Sequence, residues 1–181
     1  MIITETSLKD CFIIEPRVFQ DSRGYFFESF NQEKFCKGIG NKIEFVQDNE
    51  SFSSRGVIRG LHFQTGEFAQ AKLVRVVKGT VLDVAVDIRK ESSTFGKYIA
   101  VELTEENKKQ LFIPRGFAHG FAVLSETAIF SYKCDNFYKK EAEAGIIYND
   151  SSLNIDWKIA KEEAQLSEKD LILPTLEEYF K

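Results

Sequence analysis

An all-β fold, an antiparallel sandwich or barrel, is what the sequence predicts, and three observations carry it. Short segments alternate apolar and polar residues with a period of two. Turn signals such as DSRG, KGT and TEENK separate many of them, so that strands arrive roughly every ten to fifteen residues. No helix of crossover length stands between most of them, which is the pattern of an antiparallel sandwich or barrel. The aromatic content agrees: 17 phenylalanines, six tyrosines and one tryptophan stand against one methionine, and flat rings pack well on pleated surfaces.

In chain order, GYFFESF (24–30) and IEFVQ (43–47) read as strands, with NQEKFCKGI (31–39) between them as a helix. KLVRVV (72–77) follows as a short strand. TVLDVAVDI places Leu82, Val84, Val86 and Ile88 on one face and Val81, Asp83, Ala85 and Asp87 on the other. YIAVEL (98–103) and TAIFSYK (127–133) are rich in β-branched and aromatic residues. DWKIAKEEAQ and PTLEEYF in the tail read as helices. Without repeats, low-complexity tracts or linkers, residues 1–181 are expected to form one domain, with a helical appendage from about residue 157.

Composition narrows the function. A net charge of −4 lacks the basic footprint of a nucleic-acid binder. Small anions stay possible, since a few local arginines hold them. Cys11, Cys36 and Cys134 form no CxxC pair, as expected of free thiols in a reducing cytoplasm. MIITETSLKDCFII has no basic run followed by a long apolar one, so no signal peptide is expected. No apolar stretch approaches the ~18 residues of a membrane span.

The chain has only two histidines, and both lie in glycine- and phenylalanine-framed motifs: RGLHFQ (59–64) and GFAHGF (116–121). Arg59 precedes His62 by three residues, and a guanidinium beside an imidazole is costly inside a protein unless an anion joins them. Gly60 would permit close approach of a ligand. His119 follows IPRG, where Pro114, Gly116 and Gly120 favour a constrained loop or strand start. Each histidine reads equally as a structural one with satisfied nitrogens. GLHFQ has Phe63 and Gln64 where a second metal ligand could stand, and two imidazoles with scattered carboxylates make no convincing first shell, so no metal is expected. Lys72 opens a strand and reads as solvated or functional. Tyr132 shares a face with Ala128 and Phe130 and reads as core or site. Asp170 stands three residues after Ser167, a helix-start spacing.

The order of these segments carries more than any one of them. DSRGYFFESF, FVQDN, RGLHFQ, AKLVRVVKG, IPRGFAHGF, YK…Y and SEKD follow one another as they do in the dTDP-4-dehydrorhamnose 3,5-epimerases, which the chain resembles from about residue 10 to about residue 174. The resemblance implies a cupin-type double-stranded β-helix, a jelly-roll barrel with a few peripheral short helices. It implies inversion of C3 and C5 of dTDP-4-dehydro-6-deoxy-D-glucose, giving dTDP-4-dehydro-L-rhamnose, without cofactor or metal. His62 would be the base, supported by Asp170. Lys72 would stabilise an enolate at the C4 oxygen, with His119 assisting or binding the sugar, and Tyr132 would return a proton. Arg23 and Arg59 would hold the diphosphate, and Tyr138 would stack on thymine. Glu28, Gln47, Asp48, Asn49, Glu143 and Lys169 would complete substrate binding. A homodimer is implied, its partner chain finishing the nucleotide site and the phenylalanine-rich N-terminal strands supplying apolar interface. Three rivals share parts of this pattern: a single-centre epimerase, a non-catalytic nucleotide-sugar binder and a metal-dependent cupin.

Overall fold

The computed structural model describes all residues, 1–181. Its strands are β1 (Ile2–Glu5), β2 (Phe12–Glu15), β3 (Val18–Asp21), β4 (Gly24–Phe27), β5 (Gln47–Ser54), β6 (Ile58–Gln64), β7 (Lys72–Lys78), β8 (Thr80–Asp87), β9 (Tyr98–Thr104), β10 (Gln110–Ile113), β11 (Phe117–Val123), β12 (Thr127–Cys134) and β13 (Glu143–Gly145). Three short α-helices accompany them: α1 (Gln32–Ile39), α2 (Glu168–Leu171) and α3 (Leu176–Tyr179). One sheet has the order β1-β2-β10-β7-β12-β5 and the other β13-β6-β11-β8-β9. All pairings within them are antiparallel. The two sheets face each other as a jelly roll, the architecture the resemblance implied.

Strand alternation sorts side chains between the barrel interior and two outer layers. Val81 and Ala85 of β8 join Val74, Leu111, Phe121 and Phe130 between the sheets. Leu82, Val84 and Val86 point the other way, into a layer closed by Leu153, Trp157 and Leu176 of the C-terminal segment. On the outer face of the six-stranded sheet, Ile14, Leu73 and Phe112 pack against Phe35 of α1. That helix starts where the Asn31 side chain accepts the Lys34 N–H (3.0 Å) and stops at Gly40, whose φ of 68° suits glycine.

Several elements differ from expectation. Residues 43–46 are not strand; β5 begins at Gln47 and continues through NESFSS, while Phe45 packs beside Phe35. GYFFESF is strand only to Phe27, in a β3–β4 hairpin that joins neither sheet. DWKIAKEEAQ forms no helix. Asn154 and Lys158 take positive φ, Trp157 is buried with its Nε1–H donating to the Tyr148 carbonyl (2.8 Å), and the Gln165 backbone bonds to Gly56 and Ile58. Tertiary pairing overrides helical propensity there. In PTLEEYF a single turn forms, closed by a Thr175–Glu178 capping box.

Gly60 also serves differently. A Cβ there would lie 2.6 Å from Gly120 Cα and 2.7 Å from the His119 carbonyl oxygen. The glycines let two strands approach each other at the irregular β6–β11 register, rather than a ligand approach the strand.

The loop after β8 is organised by Asp87, which is fully buried. Its carboxylate accepts from the Arg89 guanidinium and from the Ser92 and Thr94 hydroxyls. Burial pushes its pKa up, but these donors outweigh burial and hold it at about 2. A carboxyl depressed on folding stabilises above its unfolded pKa and loses that stabilisation as pH falls. Asp87 is therefore expected to contribute about 2 kcal/mol at neutral pH, lost between about pH 4 and pH 2. Thermal denaturation across that window checks this: Asp87→Asn should lower Tm at pH 7 and flatten its acid dependence.

Candidate active site

The register of the sheets assembles the interior polar groups. His119 of β11 is the cross-strand partner of His62 of β6, so both imidazoles enter the barrel from one sheet. The facing sheet aligns Gln47, Cys134 and Lys72 in one row and Asn49 and Tyr132 in the next. Between the two walls lies a cavity of about 550 Å³ lined by Arg59, His62, Lys72, His119, Tyr132 and Asp170, with Glu143 and Lys169 at its edge. A recess of about 270 Å³ shares His62, Lys72, Tyr132 and Glu143 and adds Gln47, Asn49 and Tyr138.

His62 Nε2 lies 2.6 Å from Asp170 Oδ1. Asp170 sits on α2, where the Ser167 side chain caps the helix by accepting the Asp170 N–H. Burial alone would raise the Asp170 pKa; the hydrogen bond and charge of His62, with Ser167 and Lys169, hold it below the ordinary aspartate value. A second carboxylate–imidazole pair lies deeper, with His119 Nε2 at 3.0 Å from Asp83 Oδ2. Burial lowers the His119 pKa more strongly than Asp83 raises it, so this imidazole is neutral at pH 7.

Lys72 reaches the cavity wall, its Nζ 5.9 Å from the centre of the Tyr132 ring. Burial lowers its pKa, while Cys134, Asp83 and Glu143 work in the opposite direction. Tyr132 is shifted up, chiefly by burial, and keeps its phenolic proton at neutral pH. Arg59 is oriented by Ser53, whose hydroxyl accepts from its Nε (3.1 Å). Glu143 accepts from Lys169 Nζ (2.6 Å) and from the Tyr138 hydroxyl (3.2 Å).

Three of the expected binding residues reach neither the cavity nor the recess within one chain. Arg23 sits at the β3–β4 turn with its side chain 88% exposed, paired to Asp21. Glu28 is held by Lys34 (2.8 Å) and Asn31 (3.2 Å). Asp48 lies on the outer face of β5 and pairs with Lys133 (2.9 Å), because alternation turns Gln47 and Asn49 inward and Asp48 out. Conversely, Asp83 belongs to the site although the motifs did not single it out. Its signal was an acid inside an apolar strand, on the face of Val81 and Ala85. Nowhere do three or more His, Cys, Asp or Glu side chains converge as a metal site requires.

Fold and cavity together define a cupin-type jelly roll with an ionisable interior. The family model for dTDP-4-dehydrorhamnose 3,5-epimerase matches residues 5–178, and the chain belongs to that family. It is 56% identical over 171 residues to dTDP-4-dehydrorhamnose 3,5-epimerase of Shigella flexneri, covering 94% of this chain and 93% of that one. It superposes on the crystal structure of dTDP-4-dehydrorhamnose 3,5-epimerase from Elizabethkingia anophelis with a TM-score of 0.94 at 58% identity, covering 97% and 96% of the two chains. A Legionella pneumophila dTDP-6-deoxy-D-glucose-3,5-epimerase, solved in complex with dTDP-4-keto-L-rhamnose, gives a TM-score of 0.93 at 48% identity, covering 97% and 92%.

The balance of burial and charge around Lys72 is directly measurable. NMR titration of its ε-methylene is expected to give a pKa below the ordinary lysine value of about 10.4. Asp83→Asn removes a charge that favours the ammonium, so the pKa should fall further; a rise would refute this account of the cavity.

Proposed function

We propose that this isomerase inverts C3 and C5 of dTDP-4-dehydro-6-deoxy-D-glucose, giving dTDP-4-dehydro-L-rhamnose. The observation that carries the reading is the His62–Asp170 pair sharing one cavity with Lys72 and Tyr132. Both carbons flank the C4 ketone, so loss of either hydrogen gives an enolate whose charge rests on the C4 oxygen. The reaction needs a base, a charge stabiliser and an acid, and exchanges only protons. It calls for no redox group or metal.

His62 takes the proton. Its Nε2 is engaged by Asp170, which leaves Nδ1 as the basic nitrogen and gives the resulting imidazolium a carboxylate partner. The Lys72 ammonium stabilises the enolate oxygen, usually the largest single contribution in such chemistry. Tyr132, protonated at neutral pH, returns a proton from the opposite wall. Acid and base each contribute about 10²–10⁴-fold. The neutral His119 helps to hold the sugar. Arg59 binds the diphosphate with the paired donors of a guanidinium. Tyr138 stacks on the base, and Gln47, Asn49, Glu143 and Lys169 line the rest of the nucleotide path.

The reading includes a homodimer. The β3–β4 hairpin joins neither sheet and exposes Phe19, Tyr25 and Phe26, and it carries Arg23 at its turn. Docked on a second copy, it buries those rings and brings Arg23 and Glu28 to the partner's cavity. A cytoplasmic location agrees with three free thiols. No helix is long and apolar enough to cross a membrane.

Turnover in deuterated water is expected to place two deuteriums on carbon. One would indicate a single-centre epimerase, and none would overturn the reading. His62→Ala should lose at least about 10²-fold in kcat while dTDP affinity persists. Hybrid dimers test the hairpin. Mixing His62→Ala with Arg23→Ala chains should restore activity, because one cavity of each hybrid regains both residues. No recovery would place Arg23 outside the partner's site.

A further inference from the structure

β12 leaves its sheet at Cys134, and the chain crosses the recess before β13 begins at Glu143. Along this arm, residues 136–139 form no backbone hydrogen bond to either sheet. Side-chain amides hold them instead. Gln70 Nε2 donates to the Asn136 carbonyl (2.8 Å), and Gln47 Oε1 accepts the Tyr138 N–H (3.1 Å). Gln64 grips the arm on both sides of Tyr138: its Nε2 donates to the Phe137 carbonyl (3.1 Å) and its Oε1 accepts the Lys139 N–H (2.6 Å). The same Nε2 also donates to the Phe68 carbonyl (2.8 Å).

The environment demands this side chain. Gln64 is 8% exposed, so each bond is made away from bulk water. Two carbonyls and one N–H require two donors and one acceptor on a single planar group, which a carboxamide supplies. A carboxylate of the same shape would turn acceptors toward both carbonyls. Gln64 also shares a strand face with His62, two residues earlier, and is the cross-strand partner of Glu143, which accepts from the Tyr138 hydroxyl. The strand that presents the imidazole thus also sets where the exposed tyrosine stands.

We propose that Gln64 is a positioning residue for nucleotide binding: by bracketing Tyr138 it holds that ring at the mouth of the recess. It acts through Tyr138 on affinity for the nucleoside diphosphate and not on proton transfer. The proposal rests on the reading of Tyr138 as the base-stacking residue.

Calorimetric titration with dTDP, alongside kcat at saturating substrate, tests this on wild-type protein, Gln64→Leu, Tyr138→Ala and the double variant. Gln64→Leu is expected to weaken dTDP binding about tenfold, the scale of one or two lost hydrogen bonds, and to leave kcat within about twofold. The double variant should bind no more weakly than Tyr138→Ala alone, because the two act as a unit. Gln64→Glu keeps the volume, reverses the donors and should weaken binding similarly. It also serves if Gln64→Leu fails to fold. Additive losses, a kcat loss at unchanged dTDP affinity, or a Gln64→Glu variant that binds like wild type would each overturn the proposal and leave the epimerase reading standing. Failure of the wild-type protein to bind dTDP would instead overturn the nucleotide reading on which the proposal rests.

Discussion

The hydrogen bond between His62 and Asp170 ties together parts of the chain that are 108 residues apart. One partner is on a central strand, the other on a single helical turn in the segment that covers the same sheet. Without the cover the imidazole has no carboxylate, and a lone buried carboxylate without the imidazole is expensive. The geometry therefore depends on the C-terminal segment lying where it does. Trp157, Leu153 and Leu176 anchor it to the outward residues of β8. The parallel bridge between Val57 and Gln165 fixes its course just before α2. Apolar packing on one face of a sheet thus positions the carboxylate that pairs with an imidazole on the other.

The interior has a graded character for the same reason. β8 contributes Val81 and Ala85 to the apolar core and, between them, Asp83 as the fully buried partner of His119. A core of this kind accepts a carboxylate only beside a partner, and His119 is that partner. Two carboxylates thus stand behind two imidazoles, while Lys72 stands apart with no carboxylate in contact. Burial works against its charge and the surrounding anions restore part of it. A lysine held without a close carboxylate has capacity left for an anionic oxygen, as the proposed mechanism requires.

Much of this was legible in the residues. Period-two alternation located β7, β8, β9 and β12 to within a residue or so, because each is half or fully buried and its pattern follows the layers. The motif order identified the cavity set His62, Lys72, His119, Tyr132 and Asp170 before any geometry. What escaped had physical reasons. DWKIAKEEAQ has helical composition, yet Trp157 is buried against the sheet and the Gln165 backbone is tied to Gly56 and Ile58, facts local propensity cannot carry. Asp83 is invisible to motif reading because its meaning lies in cross-strand proximity to β11. Asp48 sits between two inward residues of QDN, and only the start of β5 decides which of the three face out.

The charge balance at the cavity mouth bears on the role proposed for the hairpin. In the proposed binding mode a nucleoside diphosphate would bring two negative charges along the path from the recess to the sugar. Within one chain, Lys169 is already satisfied by Glu143 at 2.6 Å, and Lys72 is, in the proposed mechanism, assigned to the ketone. Arg59, aimed by Ser53 and without a carboxylate partner, is the cation left over. One guanidinium matches one phosphate well, but a second phosphate needs another. The exposed Arg23, on a hairpin that also exposes Phe19, Tyr25 and Phe26, would meet this need in the proposed dimer by entering a second copy's cavity. The same contact that covers Phe19 and Phe26 would then supply the missing charge, so assembly and substrate binding would depend on one surface.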